Sequence, residues 1–247
     1  MTSTYPATAA DRERPSRALS SARVTLGILW RYYAPQSVID VGCGAGAWMK
    51  AAAELGAERV QGLDGAGVTK EQAVVPFDQI RPLDLGQPFS LPETFDLAIC
   101  VEAAGRLRPS RSVGFIKDLA KLARVVVFSA AAPCQDDGRH INAQWPEHWA
   151  ALFRQEGYVA LDFLRSQLWN NPEVDWWHAQ NAILYVKEDH FLDLPSFQEL
   201  RHHQVVRPLS LVHPALLEEA QQPTLQEACF KILPRSLWRA VSSRRER

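Results

Sequence analysis

The stretch that most constrains this chain lies around residue 40. A β-branched run, Ser37-Val38-Ile39-Asp40-Val41, stops at Gly42-Cys43-Gly44-Ala45-Gly46, and an alanine-rich segment then runs to Leu55 before Gly56. A strand, a glycine turn and a helix in direct succession form the opening unit of an α/β sheet. Glycine is needed there because the backbone turns sharply and must let a ligand approach without a Cβ in the way. The following helix aims its free amides and the positive end of its dipole at that ligand. In open α/β sheets ligands sit at the carboxyl ends of the strands.

The rest of the chain repeats this alternation. RVQGLD (59–64), a short run near 72–75, FDLAICV (95–101) and RVVVFSA (124–130) read as strands. YVALDFL (158–164) and NAILYVK (181–187) close the series. Helices are expected from Ala18 to the stop at Pro35, over Ala45–Leu55, over Ser112–Leu122 and from Pro146 to about Glu156. Strands alternating with helices imply a parallel sheet covered on both faces. The last two strands have no predicted helix between them, only the tryptophan-rich insert 165–180, and so can pair antiparallel. Residues 1–17 read as a flexible leader, 18–187 as the ligand-binding domain and 188–247 as a C-terminal extension. Within that extension one helix is expected near Pro214–Ala220, and the end from Arg235 carries five arginines and one glutamate.

An acidic residue, Asp64, ends the second strand, where a carboxylate can accept the ribose hydroxyls of an adenosine-type cofactor. Gly42, Gly44 and Ala47 also satisfy the loose dinucleotide pattern, so the glycines alone leave NAD open. Asp40 and Gly46 complete D-x-G-x-G-x-G. A carboxylate beside the loop suits a ligand carrying an ammonium and a sulfonium better than a pyrophosphate. VIDVGCGAG resembles motif I of the class I S-adenosylmethionine (SAM)-dependent methyltransferases.

That resemblance spans roughly residues 20–187. It implies a Rossmann-like, doubly wound, mostly parallel seven-stranded sheet, with an antiparallel last strand inserted between the fifth and sixth. It also implies SAM as cofactor and S-adenosylhomocysteine as product. Asp64 falls where the family binds ribose, and Asp84-Leu85 where it meets adenine. Glu102, at the end of FDLAICVE, falls beside the methyl donor. The module HINAQWPEHW followed by WWHAQNAIL is similar to a group of bacterial methyltransferases, without naming their substrate.

One metal-dependent subgroup of the family carries E-x-x-E-H after the fourth strand. Here the segment is Glu102-Ala103-Ala104-Gly105-Arg106. The second carboxylate is missing and a guanidinium stands where the histidine would be, so no catalytic metal is expected. Arg106 is a candidate for the substrate side.

The segment Pro133–Trp149 follows the fifth strand and hangs over the same crevice. His140 is the candidate general base, since a neutral imidazole accepts a hydroxyl proton near pH 7; a plain loop residue is the other reading. Asn142 could orient it or the substrate. Trp176, Trp177 and His178 are candidates for walling an acceptor pocket. Trp149 and His148 are expected to pack.

These observations point to a methyltransferase acting on an oxygen, or else a nitrogen, of a small-molecule acceptor. Two other readings stay open. One is a methyltransferase fold that binds SAM but catalyses a non-methylating reaction such as cyclisation, or serves as a partner subunit. The other is an NAD-dependent oxidoreductase. With 27 basic against 28 acidic residues, a broad nucleic-acid-binding face is not expected. No apolar run reaches the roughly 18 residues that cross a bilayer. The four cysteines are far apart and no secretion signal is seen, so a cytoplasmic protein without disulfides is expected.

Overall fold

The computed structural model describes residues 9–65, 67–133, 135 and 140–216, with side chains from Ser16 onward. Cys134, Cys229, the first residues of the expected leader and the arginine-rich end lie outside the described residues, as does the helix expected near Pro214–Ala220 beyond Leu216. Residues up to Leu211 form one compact unit and those from Val212 a second.

In the first unit the elements follow the order α1 (Ala9–Leu29), β1 (Ser37–Val41), α2 (Ala47–Glu54), β2 (Arg59–Asp64), β3 (Ile80–Pro82) and β4 (Phe95–Val101). Then come α3 (Ser112–Leu122), β5 (Ala123–Ser129), α4 (Pro146–Gln155), β6 (Tyr158–Leu161), α5 (Leu164–Leu168), α6 (Trp176–Asn181) and β7 (Ile183–Lys187). Two short helices, α7 (Glu188–Asp193) and α8 (Pro195–Gln198), lead to β8 (Gln204–Val205). The strands lie in the order β3-β2-β1-β4-β5-β7-β6-β8. From β3 to β5 every pairing is parallel, and β7 runs antiparallel between β5 and β6.

Alternate residues of each central strand feed opposite faces of the sheet. Val38, Leu97, Ile99, Val125 and Val127 pack under α1, α2, α5 and α6. Ile39, Ala98, Cys100, Val126 and Phe128 pack under α3 and α4. A strand covered on both sides has no polar face, which is why FDLAICV and RVVVFS are apolar almost without a break.

Several boundaries differ from the sequence pattern. The sheet has eight strands, because Gln204–Val205 adds antiparallel to β6 beyond the expected seven. Residues 188–205 therefore belong to the same compact unit as the strands before them. The third strand forms at 80–82; the run at 72–75 is a turn whose Val74 N–H donates to the Ala45 carbonyl (2.8 Å). Helix α1 starts at Ala9, inside the expected leader, and stops at Leu29, ahead of Pro35. Strand β6 ends at Leu161, and the insert 165–180 holds helical turns, with Asp175 at the N-cap of α6. The tryptophans there supply helix faces, which a count of apolar residues cannot separate from a loop.

Candidate functional site

The loop after β1 is held by its neighbour strand. Gly42 N–H and Cys43 N–H both donate to the Leu63 carbonyl (2.7 and 3.2 Å), and Gly44 N–H donates to Asp64 Oδ2 (2.7 Å). Gly42 has φ 84° and Gly44 φ 51°, in the left-handed region. A Cβ on Gly42 would lie 2.3 Å from the Ala103 Cβ, so the turn after β4 packs directly on the loop. At Gly44 a Cβ would meet nothing within 4 Å. That open face borders a cavity of about 500 Å³.

The cavity lies at the carboxyl ends of β1, β2 and β4. Gly42, Gly44, Asp64, Leu85, Glu102 and Arg106 are in its wall, with Ala18 of α1 and Trp48 of α2. Burial pushes the Asp64 carboxyl up, while the Gly44 and Gly65 amides and the Arg106 charge pull it back. Gly62, which the sequence pattern does not single out, makes room beneath the loop. A Cβ there would be 2.5 Å from Cys43 Sγ.

Three residues expected to face the cofactor do not line this cavity. Asp40 is 1% exposed, and its Oδ2 has no hydrogen-bond partner among the described residues. Burial and the nearby Asp64 push its carboxyl well above the ordinary range. It stands within the sheet layer as a buried acid, not as a charge presented to a ligand. Asp84 is exposed and its Oδ1 accepts the Gly86 N–H (2.8 Å), leaving Leu85 to supply the wall. Gly46 is buried under Val75, whose Cγ2 would be 2.6 Å from an added Cβ.

At the far wall Glu102 is the structure's non-glycine residue with positive φ, 57°, among the described residues. A side chain held in that conformation costs about 1–3 kcal/mol and marks a site that other contacts must fix. Here the contacts are specific. Glu102 N–H donates to the Ser129 carbonyl (3.0 Å). Its Oε1 accepts Ser129 Oγ–H (2.9 Å) and Asn181 Nδ2 (3.3 Å). Asn181 Nδ2 and Gln180 Nε2 also donate to Gln135 Oε1 (2.8 and 3.0 Å). Glu102 Oε2 lies 3.9 Å from His140 Nε2, and His140 Nδ1 lies 3.2 Å from the Gln135 carbonyl. Burial raises the Glu102 carboxyl; the Ser129 hydroxyl, His140, Asn181 and Arg106 oppose it.

Of the expected substrate residues, the structure brings Arg106 to the cavity wall and His140 to Glu102. Asn142 is buried, with its Nδ2 given to Ser112 Oγ (2.9 Å) and its N–H to the Gly105 carbonyl (2.9 Å). It clamps the 140–144 segment to the turn after β4 instead of facing a ligand. His178 is buried edge-on against Trp48, ring centroids 5.5 Å apart, with its pKa lowered to about 3 by burial. Trp176 and Trp177 pack on each other at 5.5 Å, outside the cavity wall. Trp149 packs on Phe128 and His148, as expected. Ser129 closes β5, Gln135 lies in the segment after it and Asn181 closes α6, and none of the three carries a signal in the sequence.

Among the described residues, no three His, Cys, Asp or Glu side chains are grouped so as to hold a metal ion, and no helix is long and apolar enough to cross a membrane.

No protein-family model matches the sequence, and a search of curated proteins found no match. Solved structures do share the fold. Magnesium protoporphyrin IX methyltransferase (ChlM) from Synechocystis, with bound SAM, is 17% identical; the alignment covers 75% of this chain and 87% of that one, with a TM-score of 0.52. The sugar N-methyltransferase KedS8 from Streptoalloteichus is 13% identical over 76% of this chain and 97% of its own, with a TM-score of 0.53. The amino pentose methyltransferase CalS10 from Micromonospora echinaspora, also SAM-bound, is 14% identical over 76% and 100%, with a TM-score of 0.52. The chain has the Rossmann-like fold of SAM-dependent methyltransferases.

Proposed function

We propose that this chain is a SAM-dependent methyltransferase that acts on an oxygen of a small-molecule acceptor and needs no catalytic metal. The observation that carries this reading is the cavity itself. An open-faced glycine turn, Asp64 at the end of β2 and an inward-held Glu102 meet around about 500 Å³ at the carboxyl ends of the parallel strands. Solved structures of this fold, ChlM and CalS10, hold SAM.

The residues fit that group. Asp64, held toward the loop by the Gly44 amide, would accept the ribose hydroxyls, and Leu85 would cover the base. With Asp40 buried, the case against a dinucleotide rests on Glu102, an acid in a wall that a pyrophosphate would have to approach, since Asp64 suits the ribose of either cofactor. When bound, SAM supplies a sulfonium methyl group for in-line attack by the acceptor oxygen, leaving S-adenosylhomocysteine. The chain's own part is to hold the acceptor near its attack distance, exclude water and take the hydroxyl proton at the Glu102–His140 pair. A guanidinium at 106 and a glycine at 105 disfavour a divalent ion beside Glu102. A chelator is therefore expected to leave turnover unchanged, and a strict magnesium requirement would contradict the metal-free reading.

Calorimetric titration with SAM, S-adenosylhomocysteine and NAD tests the cofactor. Binding of SAM and S-adenosylhomocysteine, with NAD silent, is the expected result; NAD binding alone sinks the proposal. SAM binding with no S-adenosylhomocysteine formed across a broad panel of hydroxyl and amine acceptors would favour a non-methylating role.

A further inference from the structure

Gly105 and Gln135 stand out because the Gln135 carbonyl meets the ring of His140 and a Cβ on Gly105 would meet it too. A Cβ on Gly105 would lie 3.3 Å from His140 Cδ2 and 3.4 Å from the Ala131 Cβ and N, closer than side chains normally pack. The same glycine's carbonyl accepts Asn142 N–H (2.9 Å), and Gln144 N–H donates to the Ala131 carbonyl (3.1 Å). The segment bearing His140 is thus seated on the turn after β4, and the ring and Ala131 leave an added Cβ at 105 only a tight fit.

A carbonyl oxygen only accepts hydrogen bonds, so the 3.2 Å contact with the Gln135 carbonyl requires the proton on His140 Nδ1. Nε2 is then the nitrogen left to gain or lose a proton, and it is the one directed at Glu102 Oε2 across 3.9 Å. Gln135 is fixed in turn by Ala132 N–H (2.7 Å), Gln180 and Asn181 on its side-chain oxygen.

We infer that Gly105 and Gln135 are positioning residues that present His140 Nε2 to Glu102, making a carboxylate–imidazole pair whose carboxylate is in the cavity wall and whose ring stands behind it, for acceptors that carry an ionisable hydroxyl. This rests on the methyl-transfer reading for its chemistry, though not for its geometry. In the step it serves, the acceptor oxygen bonds to the methyl carbon as the carbon–sulfur bond breaks. The sulfur keeps the electron pair, and the hydroxyl proton passes to the pair and then to solvent. The missing carboxylate at position 105 is, on this view, what lets an imidazole in.

The test uses the full chain labelled with ¹⁵N-histidine and ¹³C-glutamate, with and without S-adenosylhomocysteine. Among the described residues, the charged and titratable groups facing Glu102 are His140, Arg106 and Cys100. In the wild type, the neutral His140 ring should show Nδ1 protonated and Nε2 bare. The Glu102 titration midpoint should move upward in His140→Gln, because the imidazolium that steadies the carboxylate is gone. Gly105→Ala should move it the same way and disturb the tautomer signal; if that variant fails to fold, His140→Gln still decides. A neutral ring with its proton on Nε2 and Nδ1 bare, or a Glu102 midpoint unmoved in His140→Gln, overturns the inference. Failure to bind S-adenosylhomocysteine would instead remove the methyl-transfer reading, while the free protein still reports the pair.

Discussion

The glycine-loop wall of the cavity and its Glu102 wall differ in how far the chain travels to build them. The first takes Gly42, Gly44 and Asp64 from one strand–turn–helix–strand unit, tied by the Gly44–Asp64 bond of 2.7 Å. The second gathers Glu102, Ser129, Gln135, His140 and Asn181 from the ends of three strands and the segments between them. A wall built locally depends on backbone conformation, and at Gly42 it tolerates no added atom. A wall built from afar depends on a chain of side-chain hydrogen bonds, any of which can be removed while the sheet stands.

The largest effect expected from this contrast is at Gly42. Gly42→Ala combines positive φ with a 2.3 Å collision and should cost about 3 kcal/mol or more in denaturant unfolding, with SAM affinity lost. Gly44→Ala carries only the backbone cost, about 1 kcal/mol, because its Cβ meets nothing within 4 Å among the described residues; its loss should appear in calorimetric affinity instead. If the two variants behaved alike, the local wall would not be built as described.

On the other side, His140→Ala should leave folding and S-adenosylhomocysteine affinity near wild type while lowering kcat about a hundredfold, once an acceptor is in hand. Unaltered turnover would reduce His140 to a loop residue.

The buried ring behind Trp48 gives a pH test. His178 has a folded-state pKa of about 3, against about 6.5 when unfolded. Between those values the unfolded chain binds the extra proton, so stability falls as pH falls below 6.5. At pH 5 the loss from this residue is about 2 kcal/mol. Urea unfolding at pH 7 and pH 5 should show His178→Gln losing less over that interval than the wild type; equal losses would mean the ring is solvated. The smallest effect is at the rim, where Arg17 Nε donates to Asp175 Oδ1 (2.8 Å) but Arg17 is 62% exposed. Arg17→Ala should cost about 0.5 kcal/mol, readable as a small shift of the thermal midpoint.

The same contrast explains what could be read without coordinates. The doubly wound sheet followed from the alternation of apolar runs such as FDLAICV with helical stretches, and the antiparallel pairing of the last two strands from the insert's lack of a crossover-length helix. Gly42, Gly44 and Asp64 were legible because their spacing is contiguous. Strand β3 was not, since three residues with Arg81 and Pro82 exposed carry little hydrophobic pattern. Asp40 looked like a ligand contact because its spacing is right; its burial depends on the packing around it. Asn142 and His178 misled for a related reason: polar and aromatic side chains near a site read as functional, whether they face the cavity or brace the elements behind it. Ser129 and Asn181 could not be found from spacing, since only the inserted β7 brings them together.

The short β8 has a consequence for how copies of the molecule treat one another. At one margin of the sheet Pro82 lacks an amide to offer, and at the other Gln204 and Val205 occupy the outer side of β6. Both margins are therefore poor templates for a stranger's backbone. A chain shortened to end at Lys187 would bare the outer side of β6 at Ala160 and Leu161, and should self-associate into sheet-extended clusters more readily than the full chain.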